Sequence, residues 1–197
     1  MVDIDSMEKK TAEQILDVAQ EMVRRQGYSA FSYADISKRV GIRKASIHYH
    51  FPSKADLVKH LVQRYREMLG RACDRIARSN APANEQLLEF AHLYRDGLKQ
   101  DQACLCTMLG ADYVVLPEPV QEEVRQFFHQ MEQWLAALLQ RGCDDQLWHC
   151  NPSAKQEAKG LIAMLQGAQL LARPEADSFA AFEQIIYPLL RAKAVGA

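Results

Sequence analysis

Two S-x-x-D pairs, Ser32 with Asp35 and Ser53 with Asp56, stand twenty-one residues apart, with Gly41 between them and Gly27 just ahead. A serine three residues before a carboxylate satisfies the free N–H groups that open a helix. Glycine takes the left-handed turn that closes one. This punctuation predicts short helices, not strands. One spans Tyr33–Val40 and ends at Gly41, and a second covers about Lys44–His50 and breaks at Pro52-Ser53. A long one opens at Ser53 and runs to about Ser79. Ahead of Gly27, Ile15, Val18, Ala19, Met22 and Val23 recur at three- and four-residue spacing, the apolar stripe of a first helix.

The rest of the chain keeps the same period. Pro82 is placed to begin a fifth helix carrying Leu87, Phe90, Ala91 and Tyr94. A sixth is expected over about 102–116. Pro117 and Pro119 restart the chain into a seventh, with Val120, Val124, Phe127, Phe128, Met131, Leu135 and Leu138 on one side. Residues 142–152 read as a loop, and helices over about 153–173 and 177–193 flank Pro174. Nine helices with short connections and no alternating strand pattern make an all-α fold. Hydrophobic residues, 48% of the chain, are enough for a core.

Net charge is −1, which argues against a protein that coats nucleic acid indiscriminately. The bases are clustered, however: residues 1–60 hold ten Lys and Arg against eight Asp and Glu. Three short helices in about fifty residues, with glycine between the second and third, form a helix-turn-helix. Its third helix has the composition of a groove reader. Arg43 and Lys44 stand at its start beside the small Ala45 and Ser46, followed by His48, Tyr49 and His50. Small residues permit close approach to a groove, and Arg, Lys, Ser and His can pair with base edges or phosphates. Lys54 opens the fourth helix, where its amine is expected to face phosphate.

The run from Gly27 through Ile36, then Val40-Gly41-Ile42-Arg43-Lys44-Ala45-Ser46-Ile47-His48-Tyr49-His50-Phe51-Pro52-Ser53-Lys54-Ala55-Asp56-Leu57, strongly resembles the TetR/AcrR family of repressors over about residues 8–60. That resemblance implies a DNA-binding domain over 8–60 and a ligand-sensing, dimerising helical domain over 61–197. It implies that Lys44, Ala45, Ser46, His48, Tyr49 and Lys54 face DNA, with Ile47 and Phe51 turned into the core. Ser32 and Arg43 complete the candidate DNA contacts. His48 stands where the family commonly has Tyr, and Ala45 where Gly is common, so base preference is open at both. The resemblance further implies a homodimer built by the last two helices, on a palindromic double-stranded operator. Ala158, Gly160, Ala163, Gly167 and Ala168 would allow the close helix approach this needs.

The middle helices would then enclose a pocket for an unidentified, hydrophobic small-molecule inducer. Phe90, Tyr94, Met108, Tyr113, Phe127, Met131, Trp134 and Met164 are the candidate lining, since aromatics and Met suit an adaptable apolar cavity. A second possibility is a sensor of oxidants or electrophiles acting through Cys104 or Cys106 near a helix start, where a thiol ionises more easily. Cys143, His149 and Cys150 have only an irregular spacing for zinc, and no metal or cofactor is expected.

No G-x-S-x-G, phosphate-binding loop or H-E-x-x-H stands in the chain, so an enzyme is not expected. A helical adaptor that binds only protein is the third class considered. The first residues are acidic, unlike a secretory signal, and no apolar run approaches the roughly 18 residues of a membrane span. Together with an odd number of cysteines, five, this reads as a cytoplasmic protein with reduced thiols.

Overall fold

The computed structural model describes residues 4–148 and 153–193, with side chains from Met7 onward. The described residues form nine α-helices: α1 (Ile4–Gln26), α2 (Tyr33–Val40), α3 (Lys44–His50), α4 (Lys54–Ala77), α5 (Ala83–Arg95), α6 (Leu105–Ala111), α7 (Glu118–Asp144), α8 (Ala154–Ala172) and α9 (Ser178–Arg191). Two 3₁₀ turns, Asp96–Gln100 and Tyr113–Val115, interrupt the series. The fold is all-α, as expected. Among the described residues no helix is long and apolar enough to cross a membrane.

The chain divides into two compact units. The first takes the residues up to Arg66 together with Leu105–Arg125, and the second takes Glu67–Cys104 and the chain from Gln126 on. The first unit thus includes more chain than the expected span of 8–60. Its core gathers Ile15, Ala19 and Val23 of α1 with Ile36, Ile47, Leu57 and Leu61, each fully buried. In the second unit Phe90, Phe127, Met131, Leu135, Leu165, Phe182 and Ile186 form the core.

Two expectations are corrected. The sixth helix is not continuous over 102–116. Gln102 to Cys104 lie outside α6, and the Cys104 N–H donates to the Gln169 side chain at 2.6 Å. At the other end Asp112 leaves helical geometry (φ −92°, ψ 11°) and a 3₁₀ turn follows. Gly142, read as the start of a loop, lies inside α7, which runs on to Asp144. The reason is packing. A Cβ at Gly142 would stand 1.9 Å from the Trp148 ring, which is buried and donates its indole N–H to the Leu139 carbonyl at 3.0 Å. The glycine admits an indole against the helix and does not end it.

Candidate nucleic-acid interface

α3 is held by α2 and α4 through contacts that sequence spacing alone dictates. Both serine–aspartate pairs form. The N–H and hydroxyl of Ser32 donate to Asp35 at 2.8 and 2.6 Å, and those of Ser53 donate to Asp56 at 3.1 and 2.7 Å. Gly41 adopts φ +77° and returns its N–H to Ser37 at 3.0 Å. The Ser37 hydroxyl donates to the Ile42 carbonyl at 2.6 Å, which fixes the turn into α3. From the far end, the Tyr33 hydroxyl donates to the Phe51 carbonyl at 2.8 Å. Burial, with Asp56 nearby, pushes the Tyr33 phenol up to about 12, so it stays a donor.

Within that frame Ile47 is fully buried and Phe51 nearly so, both in the core as the resemblance implied. The opposite side of α3 is open. Arg43, Lys44, Ala45, His48 and Tyr49 are exposed and Ser46 is half-buried, with Tyr49 at 70% exposure. Among the described residues neither Arg43 nor Lys44 has a side-chain partner, so two uncompensated cations stand at the start of the helix. His48 leans on the Tyr33 ring at 4.8 Å, and its Nδ1 meets the Pro52 carbonyl at 3.1 Å. A carbonyl can only accept, so Nδ1 is the donor in this contact, and a ring carrying that one proton would present Nε2 as an acceptor. Met7, Glu8 and Thr11 of α1 face Ile42, Ala45, Ser46, Tyr49 and His50 across an open groove of about 680 Å³. α1 therefore borders the open side of α3, which sequence spacing did not indicate.

Two candidate contacts are differently placed than expected. The Lys54 amine does not extend outward. It donates to the carbonyls of Tyr28 and Phe31 at 2.7 and 2.5 Å and lies over both of their rings. Burial lowers its pKa, opposed by Asp112 and Asp35. The carbonyls after Gly27 face inward here, and the ammonium satisfies them. The hydroxyl hydrogen of Ser32 is likewise committed to Asp35, which leaves it no proton to donate to a phosphate.

Carboxylates brace the same unit. Glu21 pairs with Arg39 at 2.6 Å, and Arg64 reaches Glu13 and Asp17 at 2.8 Å each. The Arg39 hydrogen bond holds Glu21 below the ordinary carboxylate range, and the Ser32 hydrogen bonds do the same for Asp35. A folded-state pKa below the unfolded value contributes stability above about pH 4, lost as pH falls through the folded value. The thermal midpoint should therefore fall on acidification below about pH 4, and less steeply in a Glu21→Gln/Asp35→Asn variant. Parallel pH profiles would refute the assignment.

The model of bacterial regulatory proteins, tetR family, matches residues 15–61. A transcriptional regulator of the TetR family from Agrobacterium tumefaciens is 36% identical, with a TM-score of 0.91, over 95% of this chain and 100% of that one. The chain belongs to the TetR family. A TetR regulator from Legionella pneumophila is 28% identical, with a TM-score of 0.85, over 93% of this chain and 96% of that one. The nucleoid occlusion factor SlmA of Marinobacter nauticus is 23% identical over 130 residues, 66% of this chain and 67% of that one. This TetR-family protein is thus a DNA-binding transcriptional regulator of the helix-turn-helix type. Regulators of the family bind DNA operators and small-molecule ligands as dimers.

The eight candidate ligand contacts of the TetR-family chain are divided between the two units. Met108 and Tyr113 belong to the first unit and the other six to the second. Phe90, Phe127 and Met131 are at most 1% exposed and Tyr94 only 4%. Trp134 stacks on Phe90 at 5.1 Å, and Tyr94 meets the same ring edge-on at 5.6 Å. Met164 is half-buried on α8.

The cysteines also depart from expectation. Cys73, Cys104 and Cys106 are free thiols at 1%, 3% and 0% exposure. Burial pushes the Cys73 thiol up to about 12. Cys143 is disulfide-bonded, so the thiols are not all reduced, and it has no thiolate to offer zinc. His149 and Cys150 lie outside the described residues. Thiolate character and access together set reactivity, and access is lacking at all three free thiols. Dithiobis-nitrobenzoate should label them only as the chain unfolds in urea. Rapid labelling of native Cys104 or Cys106 would restore the redox reading.

Sequence reasoning missed residues whose partners lie far along the chain. The Asp112 carboxylate accepts from the N–H groups of Tyr28 and Ser29 at 2.7 and 3.2 Å, across more than eighty positions. It also occupies the space a Cβ at Gly27 would need, only 2.8 Å away. Gln169, fully buried, accepts from the Cys104 N–H and donates to the Tyr94 carbonyl. A glutamine inside an apolar helix stripe was the one available signal for it.

Proposed function

We propose that this protein is a dimeric, operator-binding repressor, released from DNA by a small molecule. The supporting observation is the reading face: two unpaired cations, two small residues, a histidine acceptor and an exposed tyrosine on one side of a helix whose other side is buried. Arg43 and Lys44 would supply phosphate contacts or bidentate pairing with guanine. The His48 Nε2 would accept from adenine or cytosine amino groups.

Dimerisation is supported by the outer stripe of α8. Gly160, Met164, Gly167 and Leu171 recur at helical spacing, and Leu171 is 68% exposed. A Cβ at Gly160 or Gly167 would meet nothing within 4 Å, so packing within one chain does not require glycine there. Close approach of a second helix does. On α9, Leu189 is 49% exposed one turn after the half-buried Ile185. A two-fold pair would set its reading helices about 34–36 Å apart, one turn of duplex. Release then needs only a ligand that binds better to a dimer with another spacing.

The test is selection of bound sequences from a random duplex pool, followed by affinity measured against salt. The selected sites should be palindromic, with half-sites about one turn apart, and log affinity should fall linearly with log salt. Failure to enrich any sequence would remove the proposal.

A further inference from the structure

The second unit carries a cavity that the reading above does not use. α7 and α8 flank a pocket of about 290 Å³ walled by Phe128, Ile162 and Ala163, with Glu132, Lys159 and Gln166 as its polar members. That is close to the small end of ligand pockets, which run from about 300 to 1,000 Å³. The Glu132 side chain is only 10% exposed. Its Oε1 and the Nε2 of Gln166 are both buried without a hydrogen-bond partner. Folded proteins rarely leave such groups unmatched. Here one is an acceptor and the other a donor, in the same small space.

Charge is not what is missing. Lys155 and Lys159 each approach a Glu132 oxygen at 3.8 Å, near enough to balance the carboxylate but beyond hydrogen-bond reach. What remains is a donor for Oε1 and an acceptor for Nε2. Both atoms sit at the end of a soft terminal torsion, so a modest rotation turns them to the opening.

We propose that this pocket binds a small uncharged amphipathic molecule whose polar end both donates and accepts, a hydroxyl or carboxamide group, on an apolar body. The hydroxyl hydrogen or amide N–H goes to Glu132 and the oxygen accepts from Gln166, while the body packs on Phe128, Ile162 and Ala163. An ammonium could not accept from Gln166 and would meet two lysines. A carboxylate could not donate to Glu132. The site rests on the repressor reading for its regulatory meaning only, as the place and chemical class of the inducer.

The test uses the full chain with benzyl alcohol and benzamide as probes, and benzylamine and benzoate as their charged counterparts. Binding is followed at the Ile162 methyl and Gln166 side-chain amide NMR signals. The neutral probes should give saturable shifts, at least tenfold tighter than the charged ones. Gln166→Leu and Glu132→Leu should each weaken the neutral probes at least tenfold, read at Ile162, and leave the thermal midpoint unchanged or higher, because neither Glu132 Oε1 nor Gln166 Nε2 gives up a hydrogen bond and the ion pairs lost with Glu132 are long ones to largely exposed lysines. The site is overturned by the absence of saturable shifts, by equal binding of all four probes, by variants that bind like wild type, or by a lower midpoint in the variants. Duplex binding by the same preparation separates the two ideas: intact duplex binding without probe binding removes the site alone, and the converse removes the repressor reading alone.

Discussion

Gln169→Leu is expected to destabilise the second unit by about 2–6 kcal/mol. The side chain is fully buried and bridges two backbone groups: its oxygen takes the Cys104 N–H at 2.6 Å, and its amide donates to the Tyr94 carbonyl at 2.5 Å. Leucine fills nearly the same volume, so cavity formation contributes little. The cost comes from a buried N–H left without its acceptor and a carbonyl stripped of its amide donor, about 1–3 kcal/mol each. For a chain of this size that is a fall of roughly 5–15 °C in thermal midpoint. Gln169→Asn keeps the chemistry but is one methylene too short to span both groups, and should fall between. A Gln169→Leu midpoint within about 2 °C of wild type would show that the bridge contributes nothing of the kind.

The same residue marks where the sequence stops being readable. α2 and α3 were legible to their last residue because their stops are local: a serine and an aspartate three apart, and a glycine in the left-handed region. α6 was not. Its start depends on Gln169, sixty-five residues away, and just past its end Asp112 turns to the backbone of Tyr28 and Ser29. Gly142 misled for a related reason. A glycine carries the same letter whether it ends a helix or admits a distant indole, and only the position of Trp148 decides between them.

The candidate reading face divides along the same line. Ile47 inward and Lys44, Ala45 and Tyr49 outward follow from a helical period of 3.6 applied to seven residues, so they could be anticipated. Lys54 could not be placed this way. Its position at a helix start suggested an anion, but burial beside Tyr28 and Phe31 gave it two carbonyls to satisfy first. A pocket lining could not be told from core in the sequence, because apolar and aromatic side chains at helical spacing serve either role equally well. Phe90, Phe127 and Met131 are at most 1% exposed, which fits both. Burial is common to both roles and cannot discriminate. Unmatched polar atoms can, and none is visible in a sequence.

Arg43→Ala/Lys44→Ala should abolish tight operator binding without changing the fold. Both side chains are exposed at the start of α3 and have no partner among the described residues, so removing them breaks nothing in the free protein. In the proposed dimer each substitution counts twice, and four cationic contacts are lost. If all four neutralise phosphates, the slope of log affinity against log salt falls by about 3–4. A bidentate contact to guanine is worth about 1–3 kcal/mol, so two such losses alone weaken binding by at least tenfold. Affinity for the selected palindrome is therefore expected to drop at least a hundredfold near physiological salt, with the thermal midpoint unchanged. Lys54→Met behaves differently if its amine belongs to the Tyr28 and Phe31 carbonyls. It lowers the midpoint first and reduces DNA binding only as the helix-turn-helix loosens. Affinity and salt slope that survive the loss of Arg43 and Lys44 would mean that this helix does not enter the groove by its first turn.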